Sequence, residues 1–211
     1  MTARSFTPEF RAELTELMRW RRDVRRFRTD PVPEPLLARC LDALRLAPSV
    51  GLSEPWRVLR VNSPEARAAA AANFAKANAA ALEGQDGDRA ARYAALKLSG
   101  MDAAPVQLAV YCDTNPPKGA GLGAASMPQM RQYSVVAGVT MMWLTARAEG
   151  LGLGWVSILD ADRLARDLDV PTTWDLIGYF CLGWPEQEAD SPELERAGWE
   201  TRANTLDLEV R

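Results

Sequence analysis

The sequence predicts a single α+β domain built around a buried central helix. Three observations carry this. Residues 134–149 are apolar nearly all round, through Val135, Val139, Met142, Trp143 and Ala146, and such a helix is wrapped by other elements. Short apolar or β-rich runs stand at 56–61, 106–111, 155–159 and 176–182, with helical patterns between most of them. The length of 211 residues suits one large domain, at roughly 150 residues per domain. The 47% share of hydrophobic residues is ordinary for a chain with a sizeable core.

Each element has a local reason. Thr7 followed by Pro8 is an N-cap and first helical position, and Phe10, Leu14, Leu17 and Met18 then repeat at helical spacing. A second helix is expected over about 34–46, with Leu37, Leu41 and Leu44 on one stripe and Pro48 ending it. The strand 56–61 follows. Ser63-Pro64-Glu65 opens a helix that the alanine-rich run carries to Leu82, and 84–88 is a polar break before a helix over 89–98. Pro105 precedes the buried strand 106–111. Residues 114–128, rich in Gly, Ala and Pro, form a long loop of the kind that often carries function. Gly150 stops the central helix as its C′ residue, and the strand 155–159 comes next. Asp160 caps a short helix to Leu168, and 176–182 is the last strand. The charged tail 185–211 has no clear period, yet the flanking Trp184 and the internal Trp199 give it reason to pack on something. The order is α-α-β-α-α-β-α-β-α-β, without repeats or low-complexity linkers.

Composition removes several function classes. The 25 Lys+Arg against 28 Asp+Glu leave a formal charge of −3, unsuited to coating nucleic acid by bulk charge. Histidine is absent (His 0), which excludes Ser-His-Asp and Cys-His catalysis and every His-ligated metal or haem site. Cys40, Cys112 and Cys181 have no CxxC spacing and read as buried thiols, so no metal is expected. Residues 1–10 include Arg4 and Glu9 and lack the apolar core of a signal peptide. The most apolar stretch, 135–144, is shorter than the ~18 residues a membrane span requires. A soluble cytoplasmic protein is expected.

Gly150-Leu151-Gly152-Leu153-Gly154 has the wrong order for a dinucleotide fingerprint, because it follows a helix and opens a strand; it reads as a tight helix-to-strand turn. Gly119-Ala120-Gly121-Leu122-Gly123 is equally unspecific, and no phosphate loop of the Gly-Lys-Ser/Thr type exists. Arg19, Arg21, Arg22, Arg25, Arg26 and Arg28 crowd ten residues of an acidic chain. They read either as a solvated helix C-terminus or, as a group around Asp23, as an anion site. Residues 48–56 place Ser49, Gly51 and Ser53 between a helix and a strand, where hydroxyl and N–H donors can meet a polar ring or phosphate.

Taken in order, these pieces resemble the nitroreductase-like flavoprotein family. The matching set is Arg21-Arg22-Asp23-Val24-Arg25-Arg26-Phe27, Ala47-Pro48-Ser49 to Pro55-Trp56, and the glycine turn into Trp155-Val156-Ser157. Lys97-Leu98-Ser99-Gly100 before Ala104-Pro105-Val106, Gly121-Leu122-Gly123 to Met127-Pro128, and Pro192-Glu193-Leu194-Glu195 to Gly198-Trp199 look closest to its 5,6-dimethylbenzimidazole synthase branch. The resemblance runs from about Arg19 to Arg202. It departs at Glu54, where a glutamine is expected, so no contact is carried to that position.

The resemblance implies one nitroreductase-like domain over 1–211, with a mainly antiparallel central sheet and a C-terminal arm, about 185–211, that wraps a partner subunit. It implies a homodimer with FMN at the interface. Arg21, Arg22 and Arg25 would hold the phosphate, ribityl chain or ring, Ser49 and Ser53 would come from the partner, Leu98 would offer backbone near the ring, and Arg202 would reach the phosphate. Val24 falls within the same binding run. The implied reaction consumes reduced FMN and O2, and yields 5,6-dimethylbenzimidazole, the lower ligand of cobalamin, and erythrose 4-phosphate. A separate NAD(P)H-dependent flavin reductase would supply reduced FMN. Asp23 would handle protons and Ser157 would bond the flavin edge; in the plainer readings Asp23 pairs with Arg19 or Arg26 and Ser157 is a satisfied strand hydroxyl. The alternative activity is an NAD(P)H-dependent FMN nitroreductase or quinone reductase. A basic nucleic-acid arm is disfavoured by the acidic total, and no membrane role is expected.

Overall fold

A computed structural model describes residues 5–211. Arg4, part of the N-terminal reading, lies outside them. The helices are α1 (Pro8–Trp20), α2 (Glu34–Leu44), α3 (Pro64–Glu83), α4 (Gly87–Ala95), α5 (Met130–Ala148), α6 (Ala161–Asp167) and the short α7 (Glu193–Arg196). The strands are β1 (Trp56–Arg60), β2 (Val106–Asp113), β3 (Gly152–Val156) and β4 (Trp174–Gly183). They form a four-stranded sheet in the order β1-β2-β4-β3, antiparallel at every pairing.

The expected caps form. Thr7 accepts from the Phe10 amide at 3.2 Å, Ser63 from Ala66 at 3.1 Å and Asp160 from Arg163 at 2.9 Å. Every residue of β2 is buried, so both faces of the sheet are covered. Leu108, Val110 and Cys112 face α2 and α5, packing with Cys40, Leu44, Val139 and Met142. Ala109 and Tyr111 face the other way, towards Ala70 of α3 and Leu164 of α6. All three cysteines are buried free thiols. Burial pushes Cys40 and Cys112 up to about 11 and Cys181 up to about 12. No helix among the described residues is long and apolar enough to cross a membrane.

Several boundaries differ from expectation. α5 begins at Met130 and is not buried all round: Val135, Val139, Met142 and Ala146 are inside, while Tyr133 and Met141 are exposed. α1 buries nothing and leaves Phe10, Met18 and Trp20 exposed. α4 stops at Ala95, where Leu96 turns extended. The tail packs in part on its own chain. Trp184 bonds the Pro31 carbonyl at 3.3 Å, and Trp199 packs edge-on to Tyr93 with Arg89 over its ring. Both tryptophans therefore find partners in their own chain, and the stretch 201–211 is exposed throughout.

β3 starts three residues earlier than expected and ends at Val156. The cause is residues 23–28, which run beside it. Asp23 pairs with Leu153 in a parallel bridge and Phe27 with Pro185 in an antiparallel one. Val24 N–H donates to the Leu153 carbonyl at 3.1 Å, Arg28 N–H to Trp184 at 2.8 Å, and Glu186 N–H to Arg26 at 3.1 Å. A Cβ at Gly152 would lie 2.7 Å from the Val24 side chain, and one at Gly154 would lie 2.1 Å from the Val24 carbonyl oxygen. The second and third glycines of the 150–154 run thus admit a neighbouring backbone; only Gly150, at φ +78°, serves the turn itself.

Gly154→Ala is expected to destabilise the fold by about 2–3 kcal/mol or more, through steric displacement of Val24. Gly84→Ala, whose Cβ meets nothing closer than 3.6 Å, should be near neutral. Chemical denaturation of the two variants checks this, and equal midpoints would contradict the packing.

Candidate active site beside the glycine strand

α1 ends at Trp20, and Arg21 caps it with extended backbone. From there the chain is extended, so side chains alternate and residues 23 and 25 share a face. Asp23 Oδ1 accepts from the Trp155 amide at 2.7 Å, and Oδ2 accepts from Arg25 Nε at 2.9 Å. Arg25 then donates from Nη1 to the Lys97 carbonyl at 3.0 Å. The partner of Asp23 is therefore Arg25, not Arg19 or Arg26: Arg19 pairs with Glu16 at 2.7 Å, and Arg26 pairs with Glu193. Burial raises the Asp23 pKa, against the opposing pull of the Trp155 amide and Arg25.

The arginines split into two sets. Arg22 donates from Nε to the Arg19 carbonyl at 2.8 Å, which is the helix-end role. Together with Arg21, Arg25 and Arg202 it also lines a cavity of about 620 Å³ that reaches Asp23. Desolvation, followed by the positive charges of Arg21 and Arg202, lowers the Arg22 pKa. Arg21 is lowered first by desolvation, with Asp23 opposing and Arg202 adding to it. Cationic charge is thus concentrated here with little anion to balance it. A second cavity of about 350 Å³ shares Arg22, Asp23 and Arg25 with the first and is lined also by Trp143, Arg147 and Arg196.

The remaining candidate residues distribute as follows. Val24 is held by its backbone to β3, with its side chain against Gly152. Leu98 is half-buried and follows Lys97, whose carbonyl Arg25 takes. Ser157 lies one residue beyond β3 and is exposed, so its hydroxyl is outside the strand. Ser49 and Ser53 lie before β1, at the opposite edge of the sheet, and do not meet the arginine cavity within one chain. Ser49 Oγ accepts from the Glu54 amide at 3.1 Å. Ser53 is buried, and among the described residues its Oγ has no hydrogen-bond partner. Glu54 is turned onto Lys118, which lowers its pKa. That ion pair clips the 114–128 loop over the serine turn, where Gly51 sits against the carbonyls of Gly119 and Leu122. Sequence reasoning missed Trp143, Arg147 and Arg196 as site residues; Trp143 carries Arg21 over its ring at 4.5 Å. Among the described residues no group of three or more His, Cys, Asp or Glu is placed to hold a metal.

Comparison with known proteins adds the lineage. The nitroreductase family profile matches residues 18–184. The chain is 50% identical over 197 residues to a 5,6-dimethylbenzimidazole synthase of Rhodospirillum rubrum, covering 93% of each. It is 48% identical over 201 residues to one of Rhodobacter capsulatus, covering 95% of this chain and 97% of that relative. The crystal structure of oxidised iodotyrosine deiodinase bound to FMN and 3-iodo-L-tyrosine shares the fold, with a TM-score of 0.71 at 19% identity over 94% of this chain and 97% of that one. A nitroreductase family protein from Clostridium novyi NT gives a TM-score of 0.63 at 15% identity over 82% and 86%. The matched span runs from the end of α1 through the arginine segment and all four strands, and on that ground the chain belongs to the nitroreductase family.

Proposed function

We propose that this protein is a 5,6-dimethylbenzimidazole synthase, which takes reduced FMN and O2 to the lower ligand of cobalamin with release of erythrose 4-phosphate. The observation that carries the reading is Asp23: a carboxylate of raised pKa, fixed by Trp155 and Arg25 on the wall of an arginine-lined cavity. Relatives named for this activity at about half identity along nearly the full chain support it.

The donor set fits FMN. Arg21, Arg22 and Arg202 form a cationic wall suited to a phosphate. The serine turn before β1 offers Ser49 and its backbone N–H groups as further polar donors. One FMN meets both the arginine wall and the serine turn if two chains pair, so the proposal includes a homodimer. The exposed apolar residues of α1 and α5, and Leu206, Leu208 and Val210 of the arm, supply surface to be covered.

Bound reduced flavin supplies the electrons for O2. Arg21, Arg22 and Arg202 hold the phosphate. Arg25 and the backbone of Val24 and Leu98 set the ring, with Ser49 and Ser53 of the second copy closing the site. Asp23 removes a proton next to the ring, and Ser157 offers a hydroxyl to the flavin edge. A separate NAD(P)H-dependent flavin reductase provides the reduced FMN.

Three outcomes are expected. Arg22→Ala weakens FMN binding by about 1.5–3 kcal/mol, the worth of a lost charge-assisted hydrogen bond; titration of flavin fluorescence measures it, and unchanged affinity would remove the anion site. Asp23→Asn keeps FMN binding and air oxidation but lowers benzimidazole formation ~10²–10⁴-fold, and Ser157→Ala shows a milder loss. Mass analysis after a single turnover with chemically reduced FMN decides: wild-type protein returning only intact FMN would favour an ordinary nitroreductase. Deleting residues 203–211 should weaken the dimer without unfolding the chain, because 184–199 pack on their own subunit. Sedimentation of an unaltered dimer would refute a wrapping arm.

A further inference from the structure

We infer that Trp143 of α5 is a positioning residue: it holds Arg21 by one face so that the guanidinium edge is presented to the phosphate, and Trp155 ties this hold to Asp23. The inference rests on the proposed FMN site. Along 19–28 most arginines are paired within the chain. Arg19 is on Glu16, Arg25 on Asp23, Arg26 on Glu193 and Arg28 on Asp30, and Arg22 gives Nε and Nη2 to the Arg19 carbonyl, keeping only Nη1 for a ligand. Arg21 differs. Among the described residues its side chain makes no hydrogen bond or ion pair, and its guanidinium carbon lies 4.5 Å from the Trp143 ring centroid. A guanidinium held over an aromatic ring by its face keeps its N–H edge for a bidentate phosphate contact. Arg21 lines the cavity it shares with Arg22, Arg25 and Arg202, and desolvation, with Arg202 adding to it, lowers its pKa.

Trp143 is itself held. Its ring lies 6.3 Å from Trp155, which lies 5.0 Å from Phe180. The Trp155 indole donates to the Ile177 carbonyl at 3.2 Å, and it fits only because residue 178 is glycine: a Cβ there would lie 2.0 Å from its Nε1. The same Trp155 gives its backbone amide to Asp23 Oδ1. One anchored residue therefore registers the phosphate-facing arginine and the proton-handling carboxylate to each other.

The test compares binding of FMN and riboflavin, which differ by the phosphate, to wild type, Arg21→Ala, Arg21→Lys, Trp143→Leu, Trp143→Phe and the Arg21→Ala/Trp143→Leu pair. Trp143→Leu should weaken FMN about 3- to 30-fold, the range of a cation–π contact, and leave riboflavin unchanged. Trp143→Phe should recover most of that loss. The double variant should bind FMN no more weakly than Arg21→Ala. Arg21→Lys, which keeps the charge but cannot stack as a plane and disturbs no core packing, should lose FMN preference as Trp143→Leu does. Equal losses for FMN and riboflavin, additive losses in the double variant, or an unaltered Arg21→Lys would overturn the positioning role. Wild-type protein that binds both flavins alike would instead overturn the phosphate site on which the inference stands.

Discussion

The close approach of residues 23–24 to Gly154 is the constraint on which the site depends. With the Val24 carbonyl 2.1 Å from where a side chain would begin, only glycine admits the neighbouring chain. That contact puts Asp23 opposite Leu153 and within reach of the Trp155 amide. Extended geometry then turns Arg25 back onto Asp23 and sends Phe27 inward, where it is fully buried against Gly100 and Gly183. The bonds from Arg28 to Trp184 and from Glu186 to Arg26 bring the start of the tail to the same place. The geometry of the candidate site is thus set by backbone pairing at a sheet edge, which is stiffer than a loop of long side chains.

Electrostatics explains why such a carboxylate is costly to keep. Burial raises the Asp23 pKa, so the folded chain holds that proton to higher pH than the unfolded chain does. Stability therefore falls as pH rises through the window between the ordinary carboxylate value and the raised one, and the charged form works against folding above it. Desolvation by burial lowers the pKa of Arg21 and Arg22, and the charge of Arg202 adds to it for both. Residues that cost stability where they stand are those expected of a binding and catalytic site. A dianionic ligand would relieve the arginines while Asp23 keeps its pairing with Arg25.

Much of the fold was legible because its signals are local. Thr7, Ser63 and Asp160 each bond within three residues of themselves, and the continuous apolar run of β2 announces burial on both faces. The direction of the glycine run, helix first and strand second, was enough to discard a dinucleotide reading. What escaped was long-range. Nothing near Gly152 and Gly154 tells that Val24 lies over them, so the start of β3 was hidden by residues of poor strand propensity. Trp143 reads as core in any helical pattern; its bond to Arg21 appears only once α1 and α5 are side by side. The choice of Arg25 over Arg19 or Arg26 as partner of Asp23 follows from strand alternation, but only after residues 21–28 are known to be extended rather than helical.

The central helix carries the remaining lesson. An apolar pattern on all sides demands cover on all sides, yet the chain covers one side of α5 and leaves Tyr133 and Met141 outside. α1, beside it, buries no residue at all. Meanwhile the serine turn and the arginine cavity, which the proposed function needs together, stand at β1 and β3, the two edges of the sheet. Under that proposal these facts have one physical solution. A second copy laid against α1 and α5 covers the apolar faces, and its serine turn comes to the flavin at the first copy's arginines. The sequence pattern of one helix is then accounted for by the same pairing that completes the site.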